Sequence, residues 1–397
     1  MDTITHGIAG ALLGKAVFGG EDLFSSAEKG VSRGRILTWA SMLGAIFPDG
    51  DIVRDIFSRD PLLVITWHRS ITHSFLMLPA FALALAALTR WFARKRRWEA
   101  PSFALLTLVY AVGIASHILF DLLNSFGTMA WSPLEWRRPA WDLIYIVDLT
   151  FSGILLVPQL IAGVYRTKEG SVRRSLRSWV LCTMAALVIV VASQFVGVQV
   201  PARVAVETGG VLAVVFFAPR LRGWGFTVSR ATWCRMGLTI FLVYIGVAMA
   251  AHKAALVRVR QFVASQHIEA IQVAAVPLPP SVWQWDGLIQ TPRGVYEMRL
   301  DLAERGSGSD QALEYNYYPE ALSNSGILEV RSLPTVQRVL AFARFPITRF
   351  HREGAVSVVE IADVRFHSLI PGRVWPFTYR VRLDADGKVL SQGWVRR

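Results

Sequence analysis

The sequence predicts an α-helical polytopic membrane protein with about eight membrane segments and a C-terminal β-rich domain outside the cytoplasm. Of its 397 residues, 53% are hydrophobic and only 18% are charged. Several apolar runs approach or reach the roughly 20 residues that a helix needs to cross a hydrocarbon core. Beyond residue 277 the pattern changes to the alternation of apolar and polar residues that is typical of strands.

Eight apolar runs carry the helical prediction. They span residues 4–18, 36–47, 73–92, 102–123, 143–164, 179–200, 204–218 and 236–251. We expect four regions: a membrane-embedded site domain (1–150), additional transmembrane helices (151–252), a connecting helix (253–276) and the β-rich domain (277–397). Within the last region, strands are predicted at 295–300, 312–318, 356–366 and 378–383.

Basic residues predict the orientation, since short cytoplasmic loops are enriched in lysine and arginine. They cluster at 20–35, 93–100, 166–178 and 219–235, which places everything after 252 outside the cytoplasm. Basic loops of this kind contact anionic membrane lipids, and we expect no nucleic-acid partner despite a net charge of +13. Cys182 and Cys234 lie in or beside apolar helices, so no disulfide framework or cysteine metal site is expected.

Histidines and aspartates at the outer ends of the apolar runs predict a metal site. The candidate ligands are His6, Asp49, Asp51, His73, His117 and Asp121. On a helix, His117 and Asp121 share one face. Imidazole and carboxylate donors favour a divalent ion such as zinc, with manganese or iron as alternatives.

Each of these residues also has an ordinary structural interpretation. A histidine in a membrane helix can simply be hydrogen-bonded, an aspartate can cap a loop, and His117 with Asp121 can form an ion pair. Ionisable groups in membrane segments are costly, however, and four such stretches on one face favour a joint site. The remaining histidines, including His367, are interpreted as surface or structural residues.

Four ordered motifs carry a resemblance to a known family. They are Met1-Asp2-Thr3-Ile4-Thr5-His6-Gly7, Phe47-Pro48-Asp49-Gly50-Asp51, His68-Arg69-Ser70-Ile71-Thr72-His73-Ser74 and the run from His117 to Gly127 that begins His-Ile-Leu-Phe-Asp. Together they resemble the bacterial membrane-bound metal-dependent hydrolase family, which includes LexA-regulated inner-membrane hydrolases. The resemblance covers about residues 1–150. It implies a metal site in the bacterial cytoplasmic (inner) membrane and a hydrolase label.

A weaker likeness is to zinc-dependent phospholipase C and single-strand nucleases, through the order His, Asp, His, His-x-x-x-Asp. Those enzymes carry a further histidine and glutamate ligand that cannot be placed in this sequence.

The expected chemistry is hydrolysis at the outer face of the membrane. A divalent ion lowers the pKa of its water towards about 7 and polarises a carbonyl or phosphoryl oxygen. We expect Asp148 to orient a ligand or to act as general base, Arg69 to bind an anionic group, and His68 to face the substrate. The substrate class would be an amphiphile, such as a phospholipid or another lipid-linked ester.

Two other functions stay open from the sequence. One is a non-catalytic protein of envelope stress or assembly with a structural metal site. The other is a divalent-cation transporter, which is disfavoured because transporter sites usually lie near the membrane midplane.

Overall fold

The computed structural model describes residues 2–22, 31–58, 60–195, 202–279, 282–303, 314–321, 325–367 and 375–395. These residues form two compact units. The helical unit comprises Met1–Pro48, Phe75–Leu119 and Leu149–Tyr244. The loop-and-sheet unit comprises Asp49–Ser74, Phe120–Asp148 and Ile245–Arg397.

The described part of the chain contains twelve α-helices and eight strands. The helices are α1 Thr3–Val17, α2 Arg33–Ile46, α3 Ile52–Phe57, α4 Leu63–Thr66, α5 Leu78–Arg96, α6 Phe103–Leu122, α7 Leu149–Val164, α8 Ser171–Phe195, α9 Ala202–Leu221, α10 Arg230–Ser265, α11 Ser325–Ser332 and α12 Pro334–Phe342. The strands are β1 Gln272–Pro277, β2 Gln284–Thr291, β3 Gly294–Asp301, β4 Tyr315–Pro319, β5 Pro346–Glu353, β6 Val356–Asp363, β7 Tyr379–Leu383 and β8 Val389–Trp394.

Small residues bring the first helices of the helical unit close together. A methyl group added at Gly10 of α1 would lie 2.6 Å from the carbonyl oxygen of Ser41 in α2. One added at Gly113 of α6 would lie 2.7 Å from the same oxygen. Only glycine allows such backbone approach, as in membrane helix pairs generally. The N-terminus of α1 is capped by Asp2, whose carboxylate accepts the N–H of Thr5 at 2.9 Å.

Five helices in the described residues are long and apolar enough to cross a membrane: Arg33–Arg54, Phe103–Leu122, Ser171–Val191, Arg203–Leu221 and Arg230–Ser265. A bent pair, Leu63–His73 with Leu78–Arg96, gives a sixth candidate if it is one span. Leu149–Val164 is apolar but shorter, and α1 has 15 residues. The helical N-terminal region is therefore confirmed, whereas the number eight stays a prediction.

The bent pair corrects one expectation from the sequence, a helix running from residue 73 to 92. His73 instead ends a short 3-10 helix, Ile71–His73, and α5 begins only at Leu78. The chain bends by 71° between Leu63–His73 and Leu78–Arg96. Pro79 explains where α5 starts, because proline is tolerated in the first helical turn but disrupts a helix interior. His73 consequently lies before α5 and not within it.

Helix α10 also differs from its predicted bounds. The sequence placed a boundary at 252–253 and a connecting helix up to 276. The structure has one continuous helix, α10, which ends at Ser265, and β1 already begins at Gln272. Within the loop-and-sheet unit, α10 packs on β2, since a methyl group added at Gly287 would lie 2.6 Å from Val259.

The C-terminal domain is all antiparallel, which confirms its predicted β-rich character. Strands β1 to β4 form one four-stranded sheet and β5 to β8 form another, each in sequence order. Neighbouring strands are therefore joined as successive hairpins. The register pairs Ala275 with Gly287 in the first sheet and Val359 with Val381 in the second.

The loops of the loop-and-sheet unit share a hydrophobic core with its sheets. Leu62, Ile65 of α4 and Phe126 join Phe342 of α12 and Val359 of β6 in one buried cluster. Phe126 and Phe342 have ring centroids 5.2 Å apart. Because this apolar core is continuous, the sheets fix the loops at 49–74 and 120–148.

Arginines tie the same loops to the C-terminal domain. Arg365 pairs with Asp363 at 2.6 Å and donates to the carbonyl oxygen of Ser125 at 2.7 Å. Arg344 reaches Asp142 at 2.9 Å. The side chain of Arg365 is almost fully buried, and its guanidinium, paired with Asp363, stabilises the loop after α6.

A second buried network lies inside the C-terminal domain around Glu297 of β3. Its carboxylate accepts hydrogen bonds from the hydroxyl of Tyr318 at 2.7 Å and from Nδ2 of Asn316 at 3.4 Å, and Nδ1 of His367 lies 2.6 Å away. Burial opposes ionisation of Glu297, but these hydrogen bonds outweigh it and lower its pKa. Nearby Asp286 has its pKa raised to about 7 by burial and by the charge of Glu297.

Candidate metal centre

Four buried side chains converge as a group that could hold a metal ion: Asp49, His73, His117 and Asp121. One ligand atom from each lies within 4.8 Å of the other three. Asp49 belongs to the 3-10 helix Phe47–Asp51, and His117 precedes Asp121 by one turn of α6. All four were among the ligands predicted from the sequence.

The ring of His73 is oriented through both of its nitrogens. Nε2 lies 3.6 Å from a carboxylate oxygen of Asp49 and 3.4 Å from one of Asp121. Nδ1 lies 3.0 Å from the hydroxyl of Thr72 and 3.5 Å from a carboxylate oxygen of Asp51. The ring therefore directs one nitrogen into the group and holds the other outside it, as metal-bound histidines do.

His117 is held in the same manner. Its Nδ1 lies 2.6 Å from the carbonyl oxygen of Ala45. A carbonyl oxygen can only accept a hydrogen bond, so Nδ1 carries the proton and Nε2 is the nitrogen through which His117 would bind a metal. The close approach of α6 to α2 at Gly113 makes this contact between helix backbone and ring geometrically available.

The separations at His73 suit an ion better than direct hydrogen bonds. Direct bonds between nitrogen and oxygen measure about 2.7–3.2 Å. Ligand atoms at ordinary distances from one tetrahedral zinc ion stand roughly 3.3–3.6 Å apart. The donor set of two imidazole nitrogens and two carboxylate oxygens is also the set expected for zinc, manganese or iron. The residues present therefore fit a divalent ion.

Arg69 supports the group from a strained backbone position. Its Nε lies 3.1 Å from Asp121, and its Nη1 donates to the side-chain oxygen of Asn124 at 3.0 Å. The residue is buried, and its φ of 61° places it in the left-handed region that non-glycine residues rarely adopt. Such strain persists only where the surroundings enforce it, and it is common at functional sites.

Asp51 organises the loop that carries His73. Its carboxylate lies 2.9 Å from Nδ1 of His68 and accepts the backbone N–H of Arg69 at 3.0 Å and the hydroxyl of Thr72 at 3.2 Å. It approaches His73 on the nitrogen opposite to the one that faces Asp49 and Asp121. Asp51 is not one of the four residues of the group, and its predicted role as a ligand stays a prediction.

His6 and Asp148 lie outside the four-residue group as well. The ring of His6 stacks on the ring of His117, with centroids 3.6 Å apart and planes at 19°. Asp148 is buried directly before α7. The predicted roles of His6 as a ligand and of Asp148 in catalysis stay predictions.

Comparison with known proteins places the chain in a family. The model of the YdjM inner membrane protein family matches residues 1–200. The chain belongs to the YdjM inner membrane protein family. No curated protein and no solved structure matches it.

Membership in the YdjM family agrees with the resemblance to inner-membrane proteins. The matched region contains all four residues of the metal group and the loop of Asp51 and His68. The family is described by its location in the inner membrane and not by an activity. Support for a reaction therefore comes from the side chains of the metal group and their neighbours.

Sequence reasoning missed two residues that shape this region of the YdjM family member. Asn124 links Arg69 to the backbone N–H of Phe126, accepting both at 3.0 Å. Arg138 donates to the carbonyl oxygens of Ile65 and His68, at 3.0 and 2.5 Å. Asn124 lay within a quoted motif and could have been found there. Arg138 had no signal in a polar loop.

The contrast between Arg138 and its neighbour shows why. The side chain of Arg137 is 89% exposed, whereas the guanidinium of Arg138 lies over the ring of Phe126 at 5.2 Å. Burial, together with the positive charges of Arg69 and Arg365, lowers the pKa of Arg138. The two adjacent arginines therefore differ in their tertiary contacts, which a local sequence pattern does not contain.

Proposed function

We propose that the protein is a metal-dependent hydrolase of the inner membrane, acting on a phospholipid or lipid-linked ester. The observation that carries the proposal is a buried group of four side chains that could bind a metal. The segment 49–74, which supplies Asp49 and His73, also holds a carboxylate–imidazole pair, Asp51 with His68. Metal and proton-transfer group together are what hydrolysis of an ester or phosphodiester requires.

In this proposal Asp49, His73, His117 and Asp121 hold the ion, with zinc as the first candidate. When bound, the ion supplies a Lewis acid that polarises a substrate oxygen and lowers the pKa of water. His68 takes a proton from the attacking water and returns it to the leaving oxygen, because Asp51 holds its Nδ1 and thereby orients its Nε2. Arg69 positions Asp121 through its Nε contact and so has a supporting role.

We further propose that the site and the C-terminal domain face the outside of the inner membrane. The basic loops lie at the helix ends that do not carry the site residues, and loops rich in lysine and arginine favour the cytoplasmic side. The loops 49–74 and 120–148 share a core with the sheets, so both lie on the same side. A cysteine introduced at exposed Asp386, after replacement of Cys182 and Cys234 by serine, should react with an impermeant maleimide in intact spheroplasts. Reaction only after lysis would contradict this orientation.

The number of ligands gives the alternative function a specific basis. Structural zinc sites have four protein ligands, whereas catalytic zinc keeps one position for water or substrate. Four protein ligands would thus close a tetrahedral site and favour a non-catalytic protein of envelope stress or assembly. A six-coordinate ion such as manganese or iron would leave positions for substrate. X-ray absorption spectroscopy of the purified protein, which gives metal identity and coordination number, separates the two.

An activity assay tests the hydrolase directly. The detergent-purified protein, loaded with zinc, manganese or iron, is screened on phospholipids and on lipid and phosphodiester esters. His68→Gln should lower the rate by about 10²–10⁴-fold while retaining the metal, since glutamine cannot transfer a proton. His351→Gln, at an exposed histidine of β5, is the matched control. Unchanged turnover in His68→Gln would show that His68 takes no part in the mechanism. No turnover by the wild-type protein with any of the three metals would favour the structural role.

A further inference from the structure

An apolar groove of about 580 Å³ lies within the helical unit, between α2, α5 and α6. This volume falls in the range of small-molecule sites, roughly 300–1,000 Å³. Its lining side chains are Val31, Ile36, Trp39, Ala40, Leu43, Ile46, Phe47, Leu85, Leu88, Thr89, Phe92, Ala93, Trp98 and Tyr110.

The lining has the chemistry of a hydrocarbon site. Thirteen of its fourteen side chains are aliphatic or aromatic, and the fourteenth is Thr89. The two hydroxyls, those of Thr89 and Tyr110, bond to each other at 2.7 Å. Apart from the indole N–H groups of Trp39 and Trp98, a polar ligand would find a hydrogen-bonding group only by breaking that bond. It would otherwise lose its own hydrogen bonds to water, at a cost of about 1–3 kcal/mol for each unsatisfied group. An alkyl chain would incur no such cost.

The groove opens on the outside of the helices. Trp39, Leu43, Leu88 and Phe92 are between 38% and 58% exposed. Two of the three helices, α2 and α6, belong to candidate membrane spans, and α5 belongs to the bent pair. In an inner membrane protein these surfaces meet lipid chains, so a membrane lipid is the occupant that surrounds the opening.

The groove follows the helices that deliver metal ligands. Phe47 at one end lies two residues before Asp49, in the same 3-10 helix. Tyr110 precedes His117 on α6 by seven residues, or about 10 Å of helix. The opposite end contains Phe92 and Trp98, beside the basic run at 94–97.

We infer that the groove binds one acyl chain of the substrate, with the head of that lipid towards Phe47. The substrate class is then an acyl lipid with a long straight chain, bound by α2, α5 and α6. That the bound lipid is a substrate rests on the proposed hydrolase function. Binding of its acyl chain in the groove requires no catalysis.

Photocrosslinking tests the binding. The protein is reconstituted in nanodiscs with phosphatidylglycerol that carries a diazirine near the end of one acyl chain, and the labelled peptides are mapped. Label should concentrate on groove-lining residues of α2 and α5. Leu43→Trp, at a half-exposed lining position, should reduce that label several-fold. Leu108→Trp, a comparably exposed leucine of α6 outside the groove, should leave it unchanged.

Three results would overturn the inference. They are label spread evenly over all lipid-facing helices, equal labelling of the two tryptophan variants, and crosslinks from the groove to a second protein copy. If Leu43→Trp fails to fold, saturable competition of the label by an unlabelled long-chain lipid, but not by a four-carbon-chain analogue, replaces it as the test.

The same experiment separates the groove from the hydrolase. Asp121→Asn should abolish metal-dependent turnover and retain the acyl label, because it changes no lining residue. In the active protein, Leu43→Trp should raise KM several-fold for long-chain substrates and leave short-chain substrates unaffected. Label without any turnover would reject the hydrolase alone, and turnover without selective label would reject the groove alone.

Discussion

Two buried clusters of imidazole and carboxylate differ in what they need to be stable. In the metal group, Nε2 of His73 faces two carboxylate oxygens at 3.4 and 3.6 Å. In the Glu297 network, a single carboxylate has Tyr318, Asn316 and His367 around it, with its shortest contact at 2.6 Å. The first cluster brings two carboxylates and two imidazoles together and could hold a cation, whereas the second surrounds one carboxylate with protein donors.

The comparison predicts a different response of the two clusters to chelation, which is the largest effect expected. Removing the ion should lower the melting temperature by about 5–10 °C, because a ligand that binds only the folded state stabilises it by mass action. The Glu297→Gln variant should show the same decrease. Asp121→Asn should show none, since its ion is already lost. Thermal unfolding with and without a chelator measures this, and equal sensitivity of Asp121→Asn would break the comparison.

The pH dependence of the second cluster should come from Asp286. Its folded-state pKa of about 7 lies above the unfolded value, so the folded state holds the extra proton between about pH 4 and 7. The free energy of unfolding should therefore fall as pH rises through this window, by about 1–4 kcal/mol, and level off above it. Asp286→Asn should remove the fall. Glu297 contributes with the opposite sign, since its lowered pKa adds stability that is lost on acidification.

Chemical denaturation between pH 4 and 8 checks the assignment to Asp286. The matched control is Asp386→Asn, in the exposed turn after β7, which should keep the wild-type profile. An Asp286→Asn protein whose stability still falls over this range would assign the proton to another group.

Glu297→Gln should have a smaller effect on stability. It keeps the shape of the side chain but removes the charge that strengthens its hydrogen bonds, at a cost of about 1.5–3 kcal/mol. The metal content should not change. Urea unfolding and elemental analysis of the same sample measure both, and loss of the ion in Glu297→Gln would mean that the clusters are coupled.

The smallest effect is expected at an exposed ion pair. Arg338 and Asp60 approach to 2.9 Å, but their side chains are 43% and 37% exposed. Arg338→Ala should therefore cost less than about 1 kcal/mol. A cost above about 2 kcal/mol in urea unfolding would show that proximity of opposite charges matters more than burial in this fold.

Much of the helical region could be predicted from hydrophobicity alone. The runs at 4–18 and 102–123 correspond to α1 and α6 within two residues at each end. Hydrophobicity could not reveal the bend before α5, because the residues on both sides of Pro79 are equally apolar. It also could not end α10, since helical patterning continues across the predicted boundary at 252–253.

The C-terminal domain was predictable in class but not in detail. Alternation identified the regions of β3, β4, β6 and β7, although the first two residues of the strand predicted at 312–318 lie outside the described part of the chain. It missed β2, whose central residues 285–289 are all buried and therefore do not alternate. The division into two sheets depends on contacts between distant residues, which no local pattern contains.

At the site, the kinds of ligand could be predicted but not their division of labour. Asp49 and Asp51 are equivalent in the sequence, yet they lie near opposite nitrogens of His73. That difference arises from the 3-10 helix Phe47–Asp51, which turns the two carboxylates apart. Arg138 was not predictable, because its burial depends on the aromatic ring of Phe126.

Metal content tests the central claim most directly. Elemental analysis of the detergent-purified protein should find about one divalent ion per chain in the wild type and in the exposed-histidine control, His351→Ala. His73→Ala and Asp121→Asn should contain little or none. A wild-type protein without metal after exposure to zinc, manganese and iron, or unchanged metal content in both ligand variants, would contradict the account.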